Sequence, residues 1–440
     1  MTGDLKGELK IDAFCREGTL AIQNGFACGD WNDEGKGILQ LRPFNITNSG
    51  RVDLGATKYV ETDRNVEAYI LRERDVVFNN TNSEELVGKT ALWTSSQRAV
   101  LSNHMTILRV VRRDKLSPEF LSFYLLKQWF DGYFHSVCRR HVNQASVSIE
   151  RLRDTEFPPL DVAEQRKIAG VLGVVQRAME QQERLLALTA ELKKALLHKL
   201  FTEGLRGEPQ KQTEIGPVPE SWDLVPCQDL CEMITVGVVV KPASHYVEKG
   251  VPAFRSFNVQ EDRLATNDLV YFSETANDTT LAKSKLSAGD VLVVRTGYPG
   301  TSCVVPKEYD GANCIDLVIV RPKAGVIRSG FLSRYFNAPA GKSQAVAAKH
   351  GLAQQHLNVS AVKRTLVPVP SLEEQDEIDS ALATVQRKIA LITAKKDTLT
   401  ALFRTLLHQL MTAQIRVHDL DLDVVECGDM SPHVTIRKVE

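Results

Sequence analysis

The side chains in this 440-residue chain best suited to chemistry are polar groups in its loops. Residues 1–157 offer Asn79, Asn80, Thr81, Asn82, Lys89, Arg98, Asn103, His104, Arg139, Arg140, His141, Asn143 and Gln144. Residues 213–367 offer Arg295, Thr296, Tyr298, Thr301, Ser302, Lys349, His350, Gln354, Gln355 and His356. Arginine and lysine suit the guanine edge, asparagine and glutamine suit adenine, and both kinds also bond phosphate. The chemistry implied is base-edge reading. Any one of these residues, taken alone, is more often a solvated loop residue than a base reader. HVNQ (141–144) and HGLAQQH (350–356) carry more weight, because they occupy matching places ahead of two helical segments. Arg42/Asn45 and Arg255/Asn258 recur with equal spacing, and what is shared between two regions reads as structural rather than discriminating.

Enzyme chemistry finds no foothold, and neither catalytic nor metal-ligating residues are expected. Gly88-Lys89-Thr90 imitates the end of a phosphate loop, but Ser83 holds the upstream glycine position. Gly341-Lys342-Ser343 fails in the same way, with Phe336 upstream. GxGxxG, HExxH and Asn-Pro-Pro-aromatic are all missing. Glu191-x-Lys193 echoes a nuclease signature but lies on a long helical pattern without a supporting Pro-Asp. The eight cysteines form no CxxC; only Cys227 and Cys231 are close, with no histidine pair at zinc spacing, so buried reduced thiols are expected.

The elements that must carry these loops follow from pattern. Length suggests two to four domains. With 43% hydrophobic and 25% charged residues the chain is globular. It lacks the roughly 18 to 20 apolar residues in a row that cross a bilayer, and MTGDLKGELK has no signal-peptide core, so no membrane association and a cytoplasmic location are expected. The net charge of −1 argues against a solitary high-affinity nucleic-acid binder and for a subunit whose partner supplies phosphate contacts. Short strand-like runs (76–78, 105–111, 290–295, 314–322) are broken by Gly, Asn, Asp and Pro clusters, and helical segments follow at 117–130 and 329–339.

The chain also repeats itself. Residues 175–206 match 385–416 without a gap, and PPLDVAEQRKI (158–168) matches PVPSLEEQDEI (368–378) at the same offset of 210. GILQLRPFNI (37–46) and GVPAFRSFNV (250–259) match more weakly, as do residues 74–93 and 289–306. Each repeat ends in a helix of about 40 residues, roughly 60 Å long. The second copy spaces Ile378, Leu382, Val385, Ile389, Ile392, Lys396, Leu399, Phe403, Leu406 and Leu410 as a heptad seam. The first keeps Ile168, Leu172, Val175, Met179, Leu186, Leu196 and Leu200 in that frame; it is expected to break at Gln182, Thr189 and Lys193, where Leu185, Leu188 and Leu192 widen the stripe. Two such helices are expected to pack on each other, antiparallel about a pseudo-twofold; the alternative is that each packs only on its own domain.

Together, the doubled region-plus-helix plan, PPLDVAEQRKIAGVL, TEIGPVPESWDLV (213–225), GDVLVVRTGYPG and the LRPFNI/FRSFNV pair resemble the specificity subunit of type I restriction-modification enzymes, over about residues 10–416. The resemblance implies an α+β fold with two globular target-recognition domains, 1–157 and 207–367. Two long antiparallel coiled-coil helices, 158–206 and 368–416, would link them, with a tail at 417–440. It implies a non-catalytic chain that reads a bipartite double-stranded DNA target. Two methyltransferase subunits carrying S-adenosylmethionine would methylate adenine, and restriction subunits using ATP and Mg would cut; this chain would bind no cofactor. Two alternatives remain open: specificity for another DNA-modifying system, and a coiled-coil scaffold that does not bind DNA. The first copy departs from the second in lacking the tryptophan-bearing lead of ESWDLV.

Overall fold

The computed structural model describes residues 9–27, 30–350, 356–417, 423–425 and 433–435. The chain divides into two compact units: residues 1–183 with 395–440, and residues 184–394. Each long helix therefore contributes one half to each unit.

In the first unit, strands Leu20–Asn24, Met105–Val110, Val76–Asn79 and Thr90–Leu92 form an antiparallel sheet in that spatial order. The central strand Val76–Asn79 is buried throughout, because both faces of the sheet are covered. Alternate residues serve different cores. Val76, Phe78, Leu108 and Val110 face the helices, whereas Val77, Ala91 and Ile107 join Leu39, Leu41 and Trp93 on the other side. A second sheet orders Trp31–Asn32, Lys58–Val60, Ile38–Leu41 and Ala99–Leu101, the last two parallel. Helix Pro118–Phe130 starts at Ser117, whose hydroxyl caps the Phe120 amide, with proline in the first turn.

The second unit builds the same plan from different residues. Strands Cys231–Val236, Leu317–Pro322, Val291–Val294 and Ser302–Val304 follow the same spatial order. Val291, Val293, Val318 and Val320 face the helices, and Leu292, Val294, Leu317 and Ile319 face away. Its second sheet runs Tyr246–Val247, Val270–Phe272, Val251–Phe254, Asn313–Cys314, again with the last pair parallel. The run expected as one strand at 314–322 is split at Asp316, which takes φ +52°. Helix Ser329–Asn337 lies where the pattern placed it, and a further helix, Pro339–His350, follows it.

The long helices span Val162–Glu203 and Leu372–Met411. In the first unit Ile168, Leu172, Val175 and Met179 share a core with Phe403, Leu407, Leu410 and Met411, and Leu399 and Leu406 pack beside it. In the second, Leu197, Leu200 and Phe201 share a core with Ile378 and Leu382, with Leu196 alongside. Within each unit a helix half packs both on the other helix and on domain residues such as Phe120 or Phe331, which rules out the alternative of packing on its own domain alone. Ile392 is buried on the seam, and Val385 and Ile389 are half-buried.

The expected break in the first helix is a correction. Gln182 and Lys193 are buried on the seam and Thr189 is half-buried, whereas Leu185, Leu188 and Leu192 are exposed. The heptad frame continues through the polar residues because Lys193 has its own partners there, Gln386 and Asp262.

The repeated Glu-Gln has a physical cause. Buried Gln165 accepts from the Ser117 amide at 3.0 Å and donates to the Leu160 carbonyl at 2.9 Å. Gln375 accepts from the Arg328 amide at 2.8 Å and donates to the Pro370 carbonyl at 3.0 Å. One carboxamide thus ties the start of each long helix to the start of its domain helix, in both units. The tryptophan lead is anchored at the same point. Trp222 is fully buried, and its indole N–H donates to Glu374 at 3.3 Å. Glu374 also accepts from the Leu205 amide. Between them sits Gly204 at φ +64°, where a Cβ would meet Glu374, Pro219 and Trp222 at 3.0–3.2 Å. Trp222→Ala is expected to cost about 3–5 kcal/mol through the cavity and the lost indole hydrogen bond to Glu374. Urea unfolding checks this; a loss under about 1 kcal/mol would mean the junction does not anchor the unit.

Candidate nucleic-acid interface

The expected Arg/Asn pairs prove to be architectural. Asn45 is buried; its oxygen accepts from the Arg42 amide, and its amide donates to the Asp53 and Ala56 carbonyls at 2.8 Å. Asn258 repeats this with the Arg255 amide and the Ala265 and Asn267 carbonyls. Each pair closes a turn around a bonded asparagine, and each turn leaves a phenylalanine, Phe44 or Phe257, about half exposed.

In the first unit, most of the expected reading residues converge. Arg139–Arg140 pairs with Ala145–Ser146, which in turn pairs with Thr81–Asn82, giving a small three-stranded sheet. The tip closes through the His141 amide to the Gln144 carbonyl at 2.7 Å. Arg139, Arg140, His141, Asn143 and Gln144 are all exposed, and Val142 is 99% exposed. Such a hairpin holds its shape because its base is tied down. Ala145 and Val147 are buried, and the Val147 amide donates to the Asn80 carbonyl at 2.9 Å. The Asn103–His104 turn is joined to the same edge, since the Asn80 and Thr81 amides both donate to the His104 carbonyl. Asn80 itself is half-buried, and the Thr106 hydroxyl links its side chain to Asn24. Arg140 and His135 share Glu84, at 3.0 and 3.3 Å.

Three first-unit candidates fall outside this face and are corrected. Asn79 is fully buried and its amide donates to the Leu86 carbonyl at 2.9 Å, so it belongs to the sheet core. Lys89 is buried with its ammonium 5.9 Å from the Trp129 ring centroid, and burial lowers its pKa. Arg98 precedes a strand of the other sheet and pairs with Glu67.

In the second unit the site is the loop between strands Val291–Val294 and Ser302–Val304. Gly297 and Gly300 take φ +87° and +86°, the left-handed region that lets the chain turn tightly and push Tyr298 outward, where it is 84% exposed. Arg295 is a correction. It is half-buried, pairs with Asp316 and donates to the Leu357 carbonyl at 3.0 Å, so it holds the loop rather than reading from it. The Leu357 amide returns a bond to the Arg295 carbonyl, which brings neighbouring His356 against the loop, its Nδ1 2.6 Å from the Thr296 hydroxyl. Thr301 is half-buried, and Ser302 is buried with its hydroxyl on Ser333. The side chains of Lys349 and His350, and residues Gln354 and Gln355, lie outside the described residues. Thr296, Tyr298 and His356 are therefore the described residues this loop brings together. Asp316 and Leu357, which hold them, were not among the expected residues; the one sequence signal was the aspartate interrupting an apolar strand run.

Cys227 and Cys231 lie with sulfurs 3.8 Å apart, both buried, and the mutual hydrogen bond and burial raise the Cys227 pKa. Among the described residues no group of three or more His, Cys, Asp or Glu could hold a metal ion, and no helix is long and apolar enough to cross a membrane.

A doubled two-sheet unit on shared long helices, each copy with a different polar loop, defines a class. The family model for the type I restriction modification DNA specificity domain matches residues 219–401, within which the second loop lies. A putative type I restriction enzyme MjaX specificity subunit of Methanocaldococcus jannaschii is 24% identical over 412 residues, covering 90% of this chain and 91% of the relative. The type I restriction enzyme EcoBI specificity subunit of Escherichia coli is 23% identical over 379 residues, covering 81% and 75%. Among solved structures, the type-I restriction-modification system S subunit from M. genitalium shares the fold. It covers 93% of this chain and 98% of its own, with a TM-score of 0.59 and 15% identity. Residues 219–401 thus match the type I restriction modification DNA specificity domain, and over most of its length the chain is similar to type I restriction enzyme specificity subunits.

Proposed function

We propose that this chain is the non-catalytic DNA-reading subunit of a type I restriction-modification complex, each unit reading one half of a bipartite target. The observation that carries the reading is the doubled plan itself. The same two sheets and the same glutamine-tied helix start recur, yet the exposed loop differs: Arg139–Gln144 in one unit, and Thr296, Tyr298 and His356 in the other. A repeated frame with unlike polar loops fits two unlike half-sites. The paired halves of the long helices support a further step, in which residues 158–206 and 368–416 form an antiparallel coiled coil that sets the gap between 1–157 and 207–367.

Partners follow from the same reading. Two methyltransferase subunits holding S-adenosylmethionine dock on the helices, where exposed Leu185, Leu188 and Leu192 offer an apolar stripe. Restriction subunits using ATP and Mg complete the complex, and this chain binds neither cofactor. The near-zero net charge fits a reader that borrows phosphate contacts from its partners in the cytoplasm.

Gel shift of double-stranded DNA, with and without the methyltransferase partner, tests the reading. Binding that appears or tightens with the partner and prefers one bipartite sequence is expected; binding indifferent to sequence in both cases would overturn it. Within that assay, Arg139→Ala with Arg140→Ala should reduce the slope of log affinity against log salt by about 2, one per lost phosphate contact. An unchanged slope would remove the hairpin from the interface.

A further inference from the structure

We infer that Asp262 is a positioning residue that locks the reading loop of the second unit to the long-helix seam and so fixes how the second half-site is met. This rests on the DNA-reading proposal above.

Lys193 occupies a seam position, and its side chain is only 9% exposed. A buried ammonium is costly unless a carboxylate and further hydrogen bonds meet it. Its Nζ lies 2.6 Å from Asp262 Oδ2 and 2.8 Å from Gln386 Oε1 on the second long helix. Arg334, on the domain helix, places Nη1 2.5 Å from the same Asp262 oxygen and Nε 3.2 Å from Asp379 on the second long helix. Both cations meet Oδ2 as charges, outside hydrogen-bond alignment. The other oxygen, Oδ1, accepts from Asn337 Nδ2 at 2.8 Å. Asn337 then clasps Ser302 at two points: its amide donates to the Ser302 carbonyl at 2.9 Å, and its oxygen accepts from the Ser302 amide at 3.0 Å. Ser302 opens the strand that closes the 295–301 loop. A continuous polar path thus runs from both long helices, through one 2%-exposed carboxylate, to the base of the loop bearing Tyr298. Asp262 pays for the position with a left-handed backbone, φ +61°, which a surrounding structure must hold in place.

The first unit fills the same joint differently. The counterpart of Lys193 at the 210-residue offset is Phe403, and the counterpart of Arg334 is Phe123. Each of the latter two precedes the tyrosine whose hydroxyl bonds a carbonyl beside the long-helix start, Tyr124 to Glu156 and Tyr335 to Leu366. Phe123 and Phe403 meet edge to face, with centroids 5.9 Å apart. Packing alone can therefore fill this joint. Ion pairs are a poor source of stability there, but they are directional, and their best-attested use is to set register. The second unit has exchanged an apolar contact for one that specifies orientation.

The test uses the complex assembled with its methyltransferase partner, read by methylome sequencing and thermal unfolding. Wild type is compared with Asp262→Asn, Lys193→Met, the double variant and Lys193→Arg. Asp262→Asn keeps the side-chain shape but removes the carboxylate that the two buried cations share, leaving Arg334 with Asp379 and Lys193 with Glu261 at 4.0 Å. It should cost at least about tenfold in discrimination at one half-site and in gap strictness, a loss equivalent to about 1.4 kcal/mol. The affected half-site should be the one that survives replacement of residues 1–157, with the other unchanged. The double variant should regain Tm without regaining strictness, and Lys193→Arg should keep both. A lowered Tm with both half-sites and the gap as strict as before would reduce Asp262 to a structural role and overturn the inference, as would equal loosening of both half-sites. If Asp262→Asn does not accumulate, Lys193→Met decides. It leaves Asp262 paired with Arg334 and cuts only the link to the first helix, so unchanged gap strictness there is the overturning result. A wild-type complex that writes no bipartite motif would instead overturn the DNA-reading proposal itself.

Discussion

Replacing residues 1–157 with the corresponding domain of another specificity chain will change one half of the methylated motif and leave the other half and the gap as they were. The domain closes on itself where it is to be cut: the Phe157 amide donates to the Leu9 carbonyl and Lys10 bridges Glu156, so the single junction after residue 157 lies beside the domain's own first described residues. It meets the helices through a shared apolar core and through specific contacts. Ser117 meets Gln165, Phe123 meets Phe403, the Ser49 and Gly50 carbonyls accept from Gln176, and Arg51 pairs with Glu180 and Glu183. An incoming domain that keeps a capping residue, an aromatic and an arginine at those places should seat without changing the second unit. One that lacks the arginine leaves two partly exposed glutamates unpaired, a loss of about 1 kcal/mol or less that the exchange can tolerate. Methylome sequencing of the exchanged complex reads the result. A motif altered in both halves would show that the loops are not independent readers.

The sequence betrayed periodic features well and satisfied polar groups badly. The seam from Ile378 to Leu410 was readable because seven-residue spacing of apolar side chains has one geometric meaning. Lys193 looked like a break in that pattern because its partners Asp262 and Gln386 are remote in the chain; only the fold brings a carboxylate to it. Leu185, Leu188 and Leu192 erred in the opposite direction, since hydrophobicity alone does not say whether a neighbour covers it. Asn79 and Asn80 make the same point within two residues. Asn79 ends a strand that is buried on both faces, whereas Asn80 lies just past its end, at the edge that carries the reading hairpin. HVNQ was singled out for its place ahead of a long helix, and the structure exposes all four of its residues at a hairpin tip. Arg295 was misread because an arginine beside a glycine turn looks free until Asp316 and Leu357 appear.

Removing one heptad from each long helix, residues 182–188 and 392–398, will shorten the preferred gap by about three base pairs without altering either half-site. Seven residues amount to about 10.5 Å of helix, and B-DNA rises about 3.4 Å per base pair. Both helices must be cut, because deletion in one alone keeps one unit's seam in register only by displacing the other's by a full heptad. Three base pairs also turn the duplex by about 100°, whereas a heptad returns an α-helix to within about 20° of its starting face. The shortened protein therefore meets its two half-sites out of phase and must twist the intervening DNA, which costs a few kcal/mol in a short spacer. The expected result is a shorter gap methylated more slowly, not a relaxed one. An unchanged gap with intact methylation would mean that distance is measured elsewhere in the complex.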